Sequence, residues 1–414
     1  MRTVTEHQQV VASLFGPPEP VIMPVTAALG RVLAADVVAP ISLPGFDNSA
    51  MDGFAVRAAD VAAATPAQPV HLRVDADIPA GRVDPPPLAP GTAHRIMTGA
   101  PMPAGADAVV PVELTTAVFS GAEPVEGTQE VGITTAVPTG KHIRPAGSDI
   151  VAGQPALPAG TRIGAAQIGL LCGLGFSTVS VFRPMRVAVL STGSELVAPG
   201  IPLRHGQIYE SNGAMLTAAA IEAGAEARHV HFVPDDTTQF LHRLDEIAAD
   251  ADLILTSGGV SAGAFEVVKE ALGMTGGVEF VKVAMQPGMP QGCGHYRGPA
   301  GRSVPIVTLP GNPVSSLVSF EVFIRDPLRA AMGQHLRRQR LRAQLTTALT
   351  SPAGKRQFQR AVFVRHPDGP AVTTVGPPAS HHLSNLAHAD ALVDIPAETV
   401  SLAAGDLVDV VRLT

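Results

Sequence analysis

The 414-residue sequence has little cysteine and little charge, and each shortage excludes a class of protein. Its two cysteines, Cys172 and Cys293, are far apart and have no CxxC partner, so we expect neither a disulfide framework nor a zinc site. This cysteine usage fits a reducing cytoplasm. Charged residues make up 16% and the net charge is −7, so no overall positive field attracts nucleic acid.

Long apolar segments are also missing. No run of about 18 uncharged apolar residues occurs, so we expect no membrane span. Residues 1–7 contain no apolar signal-peptide region, which favours a cytoplasmic location. The basic run at residues 337–342 lacks neighbouring aromatic residues, and a solvated strand or linker face explains it better than nucleic-acid binding.

Glycine and proline, by contrast, are abundant, with 41 and 38 residues spread along the chain. Their distribution indicates turns between many short elements. Hydrophobic residues make up 46%, and one core rarely grows beyond roughly 250–300 residues, so we expect two to four domains. Short Val/Ile runs within residues 20–180 predict a β-rich region, with strands at 70–74, 108–112 and 131–133. Helices are predicted at 4–15 and 164–174.

Strand–helix alternation begins near residue 185. Strands are predicted at 185–190, 227–233, 252–256, 278–284 and 304–309. The strands of this region carry uninterrupted apolar residues, which predicts a parallel sheet covered by helices on both faces. The region is therefore expected to be a doubly wound α/β domain.

Helix starts and a hairpin complete this outline. Residues 235–237 offer N-cap side chains for a helix that reaches residue 249, and a further helix is predicted from about Glu266 to residue 272. Asn312 and Pro313 fit the N-cap and N1 positions of a helix that extends to about residue 323. Residues 333–414 are predicted to form a small all-β domain, with a hairpin turn at 366–369.

Three loops follow predicted strands of the α/β domain and share glycine and hydroxyl residues. They are Ser191-Thr192-Gly193, Ser257-Gly258-Gly259 and Pro310-Gly311-Asn312-Pro313. Ligands of open parallel sheets bind at the carboxyl ends of the strands, and glycine lets backbone N–H groups approach phosphate oxygens. Any one loop could be only a tight turn, but three in one sheet predict a site for a phosphate-bearing small molecule.

Carboxylates lie on or near these loops, namely Glu195, Asp235 and Glu266. Beside a phosphate they would be repelled unless a cation bridges them, and Mg²⁺ combines carboxylate and phosphate oxygens. The acids therefore predict Mg²⁺. N-capping is an equal alternative for Asp235, and a surface position in a first helical turn is an equal alternative for Glu266.

Two N-terminal segments, residues 44–55 and 96–103, are dense in turn-forming residues but have no linker character. Taken alone, each is a loop that could carry a functional site.

Five motifs together resemble the signature of the MoeA/gephyrin family, the molybdopterin molybdenumtransferases. They are DNSAMDGFAV (residues 47–56), RIMTGAP (95–101), STGSEL (191–196), TSGGVSAG (256–263) and LPGNPVS (309–315). Their order and spacing match the family across nearly the whole chain.

The resemblance implies a multidomain α/β plus β architecture. Residues 1–183 would form the N-terminal region, in which a bridging segment (about 1–20, 41–50 and 138–183) flanks a β-rich lobe (about 51–137). Residues 184–332 would form a MoaB/Mog-like molybdopterin-binding α/β domain, and residues 333–414 a small β-barrel-like domain. The family forms homodimers in which the α/β domain of one subunit and the β-rich lobe of the other build the site.

The implied activity is molybdenum insertion during molybdenum cofactor biosynthesis. The substrates would be adenylylated molybdopterin and molybdate, the products Mo-molybdopterin and AMP, and Mg²⁺ would take part. The molybdopterin adenylyltransferase and apo-molybdoenzymes are further expected partners. Two alternatives are a pterin-binding or scaffold paralogue without catalysis, and a domain that itself adenylylates molybdopterin.

The resemblance also implies roles for individual residues. Catalytic positions fall on Asp52, Asp149, Glu195, Asp235 and Glu266, of which the last three would hold the metal. Pterin-binding positions are Thr98, Ser191, Thr192, Gly193, Ser257, Gly258, Gly259, Lys282, Pro310, Gly311, Asn312 and Pro313. A molybdate site would involve Arg356 and Ser380, since an arginine and a hydroxyl suit an oxyanion.

Three positions depart from the family's pattern. Glu266 stands where many members have Asp, which moves the carboxylate by one methylene. Gln286 and Met289 occupy positions that usually hold lysines, although Lys282 remains. Fewer cations beside a polyanionic ligand are expected to weaken binding or alter the kinetics.

Overall fold

A computed structural model describes residues 1–117, 129–233, 236–259, 267–298, 301–335, 337–367 and 369–413. Asp235 and Glu266, two of the three predicted metal ligands, therefore lie outside the described residues. The chain divides into two compact units. The larger comprises Met1–Met23, Gly30–Ala34 and Ser180–Thr414, and the smaller comprises Pro24–Leu29 and Ala35–Val179.

The N-terminal region consists mainly of short strands, as predicted. Its elements are α1 (Val4–Ala12), β1 (Pro20–Pro24), β2 (Val37–Val38), β3 (Asn48–Ser49), β4 (Gly53–Val56), β5 (Val70–Ile78), β6 (Thr92–Ile96), β7 (Ala108–Pro111), β8 (Gln129–Ile133), β9 (Ile143–Arg144), β10 (Pro155–Leu157), α2 (Ala165–Gly173) and β11 (Thr178–Phe182). Single 3₁₀ turns occur at Val25–Ala27, Ala58–Val61 and Val112–Leu114. The predicted strands at 70–74, 108–112 and 131–133 correspond to β5, β7 and β8.

The smaller unit is organised around one five-stranded sheet with the order β7-β4-β6-β5-β8. Apolar side chains of these strands, including Phe54, Val110 and Val131, form its core. Short paired strands flank the sheet, with β3 against β9 and β2 against β10. The segment 44–55 contains β3 and leads into β4, and the segment 96–103 follows β6.

The middle of the chain alternates strands and helices. Its elements are β12 (Arg186–Thr192), β13 (Leu196–Val197), β14 (Ile208–Tyr209), α3 (Asn212–Glu222), β15 (Glu226–Val233), α4 (Thr237–Ala248), β16 (Leu253–Ser257), α5 (Val267–Thr275), β17 (Val278–Lys282), β18 (Met285–Gln286), β19 (Pro290–Arg297), β20 (Ser303–Leu309), α6 (Pro313–Ser319) and α7 (Arg325–Ala330). A π-helical turn at Phe320–Ile324 joins α6 to α7.

The α/β sheet has the order β15-β12-β16-β20-β19-β17, and its first four strands are parallel. Neighbouring residues of the central strands enter different cores. Val187 and Val189 pack on one face with α3 and α6, whereas Ala188 and Leu190 pack on the other face with α4 and α5. Two covered faces explain why these strands show no polar alternation and confirm the doubly wound α/β class.

The expectation of a wholly parallel sheet was wrong for one strand. β19 was not predicted, and it runs antiparallel to both β17 and β20. Its glycines, Gly292 and Gly294, interrupt the apolar pattern that marks the other strands. Only residues 298–302 separate β19 from β20, and a connection this short cannot return the chain for a parallel pairing.

Predicted helix boundaries hold to within a few residues. Asp236 is the N-cap of α4 and its carboxylate accepts a hydrogen bond from Gln239 N at 2.7 Å. Asn312 and Pro313 occupy the N-cap and N1 positions of α6. α1 ends at Ala12 instead of residue 15, because Ser13 forms its C-cap.

α1 packs on the α/β domain of the same unit. Val4 and Val11 belong to its core, and the His7 ring meets the Phe323 ring edge-on at a centroid distance of 4.7 Å. Burial of His7, together with the nearby charge of Arg2, lowers its pKa to about 4.

The C-terminal domain is a small closed barrel. Its elements are β21 (Arg340–Leu345), β22 (Leu349–Thr350), β23 (Arg356–His366), β24 (Gly369–Thr374), α8 (Leu383–Ala387), β25 (Ala391–Ile395), β26 (Ser401–Leu402) and β27 (Leu407–Arg412). The order β23-β24-β21-β27-β25 closes on itself because β25 also pairs with β23. β23 and β24 form the predicted hairpin. β18 of the α/β domain adds to the edge of β23.

No helix within the described residues is both long and apolar enough to cross a membrane.

Candidate functional site

The three glycine-containing loops meet at one edge of the α/β sheet. β12, β16 and β20 are parallel neighbours, so their carboxyl ends lie side by side. Gly258 N donates to Leu309 O at 3.1 Å, and a Cβ added to Gly258 would lie 2.6 Å from Thr192 O. Gly258 also has a φ of +96°, which side chains rarely adopt. Glycine at this position therefore permits the second loop to contact the first.

The third loop lies in van der Waals contact with the second. A Cβ added to Gly311 would lie 3.5 Å from the Cα of Gly258. The three loops thus form one continuous surface of backbone, in which amides of different strands can face a single ligand. Such a surface suits phosphate groups, because backbone N–H groups can be brought to their oxygens without intervening side chains.

The predicted ligand hydroxyl of Ser191 points inward instead. Ser191 is buried, and its Oγ donates to Glu210 Oε1 at 2.8 Å. Gly213 N donates to the same carboxylate oxygen at 2.6 Å. The Glu210 carboxylate is therefore a buried acceptor that fixes the end of β12 to the start of α3.

Asn212 connects the other two loops. Its Nδ2 donates to Ser257 Oγ at 2.8 Å and to Gly311 O at 2.6 Å. The sequence analysis assigned no role to Glu210 or Asn212. Nothing in the sequence indicates this link, because the two partners of Asn212 lie 45 and 99 residues further along the chain.

Glu195 is an exposed carboxylate directly after the first loop. It folds back over Gly193, where an added Cβ would lie 2.6 Å from one of its carboxylate oxygens. The described residues contain no cluster of three or more His, Cys, Asp and Glu side chains that could enclose a metal. One hard carboxylate beside a surface that suits phosphate groups fits Mg²⁺, which is bound by one or two carboxylates together with substrate phosphates and water.

A cleft of about 460 Å³ adjoins the third loop. One wall is the loop at residues 285–290, another is Pro310, Gly311 and Asn312, and the C-terminal domain closes the third side with Lys355, Ser380 and His381. Asn312 Nδ2 donates to Ser380 Oγ at 2.9 Å, so the third loop is tied directly to the C-terminal domain.

The buried side chain of Gln291 fixes the 285–290 loop by hydrogen bonds. This buried side chain donates from Nε2 to Gly288 O and to Ser319 Oγ, both at 2.7 Å. Gln286 and Met289, the two positions at which the family resemblance implies lysines, line the cleft. The predicted ligand Lys282 is exposed at the end of β17 and does not line this cleft.

The two residues predicted for molybdate binding have different surroundings. Ser380 lines the cleft. Arg356 instead forms two hydrogen bonds of 2.6 Å with the buried Asp394, which raise its pKa. The neighbouring Lys355 lines the cleft, and no ion pair joins it to any residue within the described ranges.

The remaining predicted residues, Asp52, Thr98 and Asp149, are exposed in the smaller unit. Thr98 N donates to Asp52 Oδ1 at 2.7 Å, so the turns after β3 and β6 present these two residues together.

Comparisons with known proteins cover the chain almost from end to end. Three family models match, described as the MoeA N-terminal region (domain I and II) over residues 2–175, a probable molybdopterin binding domain over 188–330, and the MoeA C-terminal region (domain IV) over 342–413.

Curated relatives are similar over comparable lengths. Molybdopterin molybdenumtransferase 2 of Mycobacterium tuberculosis is 55% identical over 421 residues, covering 100% of both chains. The molybdopterin molybdenumtransferase of Bacillus subtilis is 35% identical and covers 93% of this chain and 88% of the relative. A crystal structure titled as a molybdopterin biosynthesis MoeA protein from Pyrococcus horikoshii matches with a TM-score of 0.79 and 31% identity, over 100% of this chain and 99% of that one.

Proposed function

The chain belongs to the MoeA family, a family of molybdopterin molybdenumtransferases in molybdenum cofactor biosynthesis, and we propose that it is a molybdenum insertase that uses adenylylated molybdopterin and molybdate. In this reaction water hydrolyses the phosphoric anhydride bond of the adenylylated pterin, and AMP leaves. The two dithiolene sulfurs displace one oxygen of molybdate, which departs as water with the two thiol protons, so that molybdenum remains bound to the sulfurs.

One observation carries the proposal: the third loop borders both the second glycine-containing loop and the cleft. Gly311 touches the second loop of the phosphate-binding surface, and Pro310, Gly311 and Asn312 also form a wall of the cleft. A pterin phosphate on the loops and an oxyanion in the cleft would therefore lie next to each other. Insertion of molybdenum requires such proximity between two polyanionic substrates.

The glycine loops would hold the phosphates through backbone N–H groups. Glu195 would hold Mg²⁺ together with phosphate oxygens, and the resemblance adds Asp235 and Glu266 to this set. When bound, Mg²⁺ would neutralise the charge on the phosphates and on the departing AMP. Glu210 and Asn212 would keep the loops at fixed separations, so that the anhydride meets the same set of donors in each turnover.

The cleft would take molybdate through Lys355 and Ser380. The sequence-based prediction included Arg356, but its guanidinium is engaged by the buried Asp394. Lys355 supplies the cation on the side of the cleft that the C-terminal domain forms. The Ser380 hydroxyl accepts from Asn312 and can donate its own hydrogen to an oxyanion.

Asp52, Thr98 and Asp149 would complete the site from a second copy of the chain, as the family resemblance implies. Both Asp52 and Thr98 are exposed, and their mutual hydrogen bond presents them as one surface. The proposal therefore includes a homodimer. The inactive variants Asp52→Ala and Glu195→Ala should therefore regain activity when they are mixed in equal amounts and exchange subunits. About half of the dimers would then be mixed, and each mixed dimer would hold one intact site, so up to about a quarter of all sites would be active.

The direct test is molybdate-dependent release of AMP from adenylylated molybdopterin. The wild type should release AMP, Glu195→Ala should be at least 100-fold slower, and Glu246→Ala on the exposed face of α4 should match the wild type. Equal rates for the wild type and Glu195→Ala would remove the carboxylate from the mechanism.

A second function, pterin binding without turnover, is favoured by one feature. Gln286 and Met289 give this cleft two neutral side chains at positions where the family usually has lysines. Tight binding of the adenylylated pterin with no AMP release would identify a binding or scaffold protein. Activity that rises in a Gln286→Lys, Met289→Lys variant would identify an enzyme with a weakened oxyanion site.

A further inference from the structure

Three glutamine side chains form a chain of hydrogen bonds that ends at the cleft. Gln359 Nε2 donates to Gln357 Oε1 at 3.1 Å, and Gln357 Nε2 donates to Gln286 Oε1 at 2.9 Å. Gln357 and Gln359 are buried on β23, whereas Gln286 is half-buried and lines the cleft. Backbone pairing of β18 with β23 sets Gln286 directly opposite Gln357.

This chain fixes which end of the Gln286 amide remains for a ligand. The amide oxygen of Gln286 accepts a hydrogen bond from Gln357, which turns this oxygen towards β23, whereas the amide nitrogen carries two N–H donors. No hydrogen bond to a residue in the described ranges uses its Nε2. The group left for a ligand in the cleft is therefore an N–H donor.

The charges around the cleft make such a donor useful. Of the described residues that line it, Lys355 alone carries a permanent positive charge, and none is a carboxylate. A fully ionised tetrahedral oxyanion accepts hydrogen bonds on every oxygen and donates none. It needs donors on several sides, and Lys355 and Ser380 lie only on the side of the C-terminal domain.

We propose that Gln286 is an uncharged N–H donor to the oxyanion in this cleft, and that Gln357 and Gln359 are positioning residues that hold its amide in the donating orientation. The inference rests on the proposed function, because it takes molybdate as the oxyanion. At this position a neutral amide, instead of a lysine, would contact the anion in the cleft that Lys355 also lines.

The first test compares the wild type with Gln286→Met. It measures the KM for molybdate in the AMP-release assay and the Kd for molybdate alone by calorimetry. Gln286→Met keeps the length of the side chain and removes the donor. It should raise the KM and the Kd for molybdate about ten-fold or more, with kcat changed by less than about three-fold. Gln344→Met, on β21 of the same barrel and away from the cleft, is the matched control and should match the wild type.

The second test separates positioning from general damage to the barrel. Gln357→Met should raise the KM for molybdate about three- to ten-fold, since the Gln286 amide loses its anchor. The same change in a Gln286→Lys background should have little effect on KM, because an ammonium group donates in any orientation. An equal KM penalty in both backgrounds would show that Gln357 is only structural and would overturn the positioning role.

Ionic strength gives an independent readout. Gln286→Lys should bind molybdate more tightly than the wild type at low salt and lose that advantage as salt rises, because a second cation adds a screened attraction. Equal salt dependence in the two proteins would count against a neutral donor at this position.

The outcomes distinguish this inference from the proposed function. Weaker molybdate binding by Gln286→Met, in a protein that releases no AMP, supports the donor and overturns the insertase. AMP release with identical molybdate KM in the wild type and Gln286→Met supports the insertase and overturns the donor. A wild type that binds no molybdate overturns both.

Discussion

The side-chain amide of Asn212 lies 2.8 Å from the hydroxyl oxygen of Ser257, and the same nitrogen lies 2.6 Å from the carbonyl oxygen of Gly311. One nitrogen at the start of α3 thus ties together loops that follow two different strands, β16 and β20. Because the hydroxyl of Ser257 is buried in this contact, the loop can offer a ligand only its backbone and its glycines.

Replacement of Asn212 should separate these loops. In Asn212→Ala, Ser257 and Gly311 lose their shared donor, and we expect a fall in kcat/KM for the adenylylated pterin of roughly 10- to 100-fold. The free energy of unfolding should fall by only about 1–2 kcal/mol. Ser211→Ala is the control, because the Ser211 side chain makes no capping bond. An unchanged kcat/KM beside a clear loss of stability would show that Asn212 serves the fold alone.

Gly258→Ala tests the contact between the first and second loops. The new Cβ would lie 2.6 Å from Thr192 O at a φ of +96°, so the loops must move apart. We expect a loss of stability of about 1–3 kcal/mol and a fall in kcat/KM of roughly 100-fold. Gly273→Ala in α5 meets nothing within 4 Å and should be neutral or stabilising. Wild-type kinetics of Gly258→Ala would show that ligand binding does not depend on this contact.

Lys355 and Arg356 should respond differently to the same substitution. Lys355→Met should raise the KM for molybdate about ten-fold and leave the melting temperature unchanged, since its charge faces the cleft. Arg356→Met should destabilise the barrel by about 2 kcal/mol or more, because Asp394 is buried and, among the described residues, keeps only Arg340 as an ion-pair partner. Thermal melts and molybdate titrations of both variants check the assignment, and a reversed pattern would restore Arg356 as the ligand.

The buried His7 should make stability depend on pH. Its pKa is about 4 in the folded chain against an ordinary 6.5, so the unfolded chain binds the proton more readily between these values. The contribution of His7 to the free energy of unfolding is complete above pH 6.5 and is lost as the pH falls towards 4. At pH 5 the loss amounts to about 2 kcal/mol.

His7→Phe keeps a ring against Phe323 and removes the titrating group. Denaturant unfolding of the wild type and this variant at pH 7.5 and pH 5 should show a smaller loss of stability in the variant. Equal losses in the two proteins would show that another group controls this range.

Much of the α/β domain is readable from sequence because its signals are local. Uninterrupted apolar strands, N-cap residues such as Asp236 and the Asn312-Pro313 start of α6 each depend on neighbours in the chain. β19 was missed because it carries glycines instead of an apolar run, and its pairing with β17 and β20 depends on connection length. The three glycine-containing loops were correctly predicted to lie together, since three parallel neighbouring strands must end at the same edge.

The sequence by itself determined the family, the order of the loops and the need for glycine between them. Tertiary structure decided how side chains divide between the ligand and the interior: Ser191 and Ser257 turn inward to Glu210 and Asn212, and Gln286 is oriented by two glutamines of another domain. Lys355 and Arg356 show the reason. Adjacent residues where a strand begins point to opposite sides, so one reaches the cleft and the other the buried Asp394, and no linear motif records which is which.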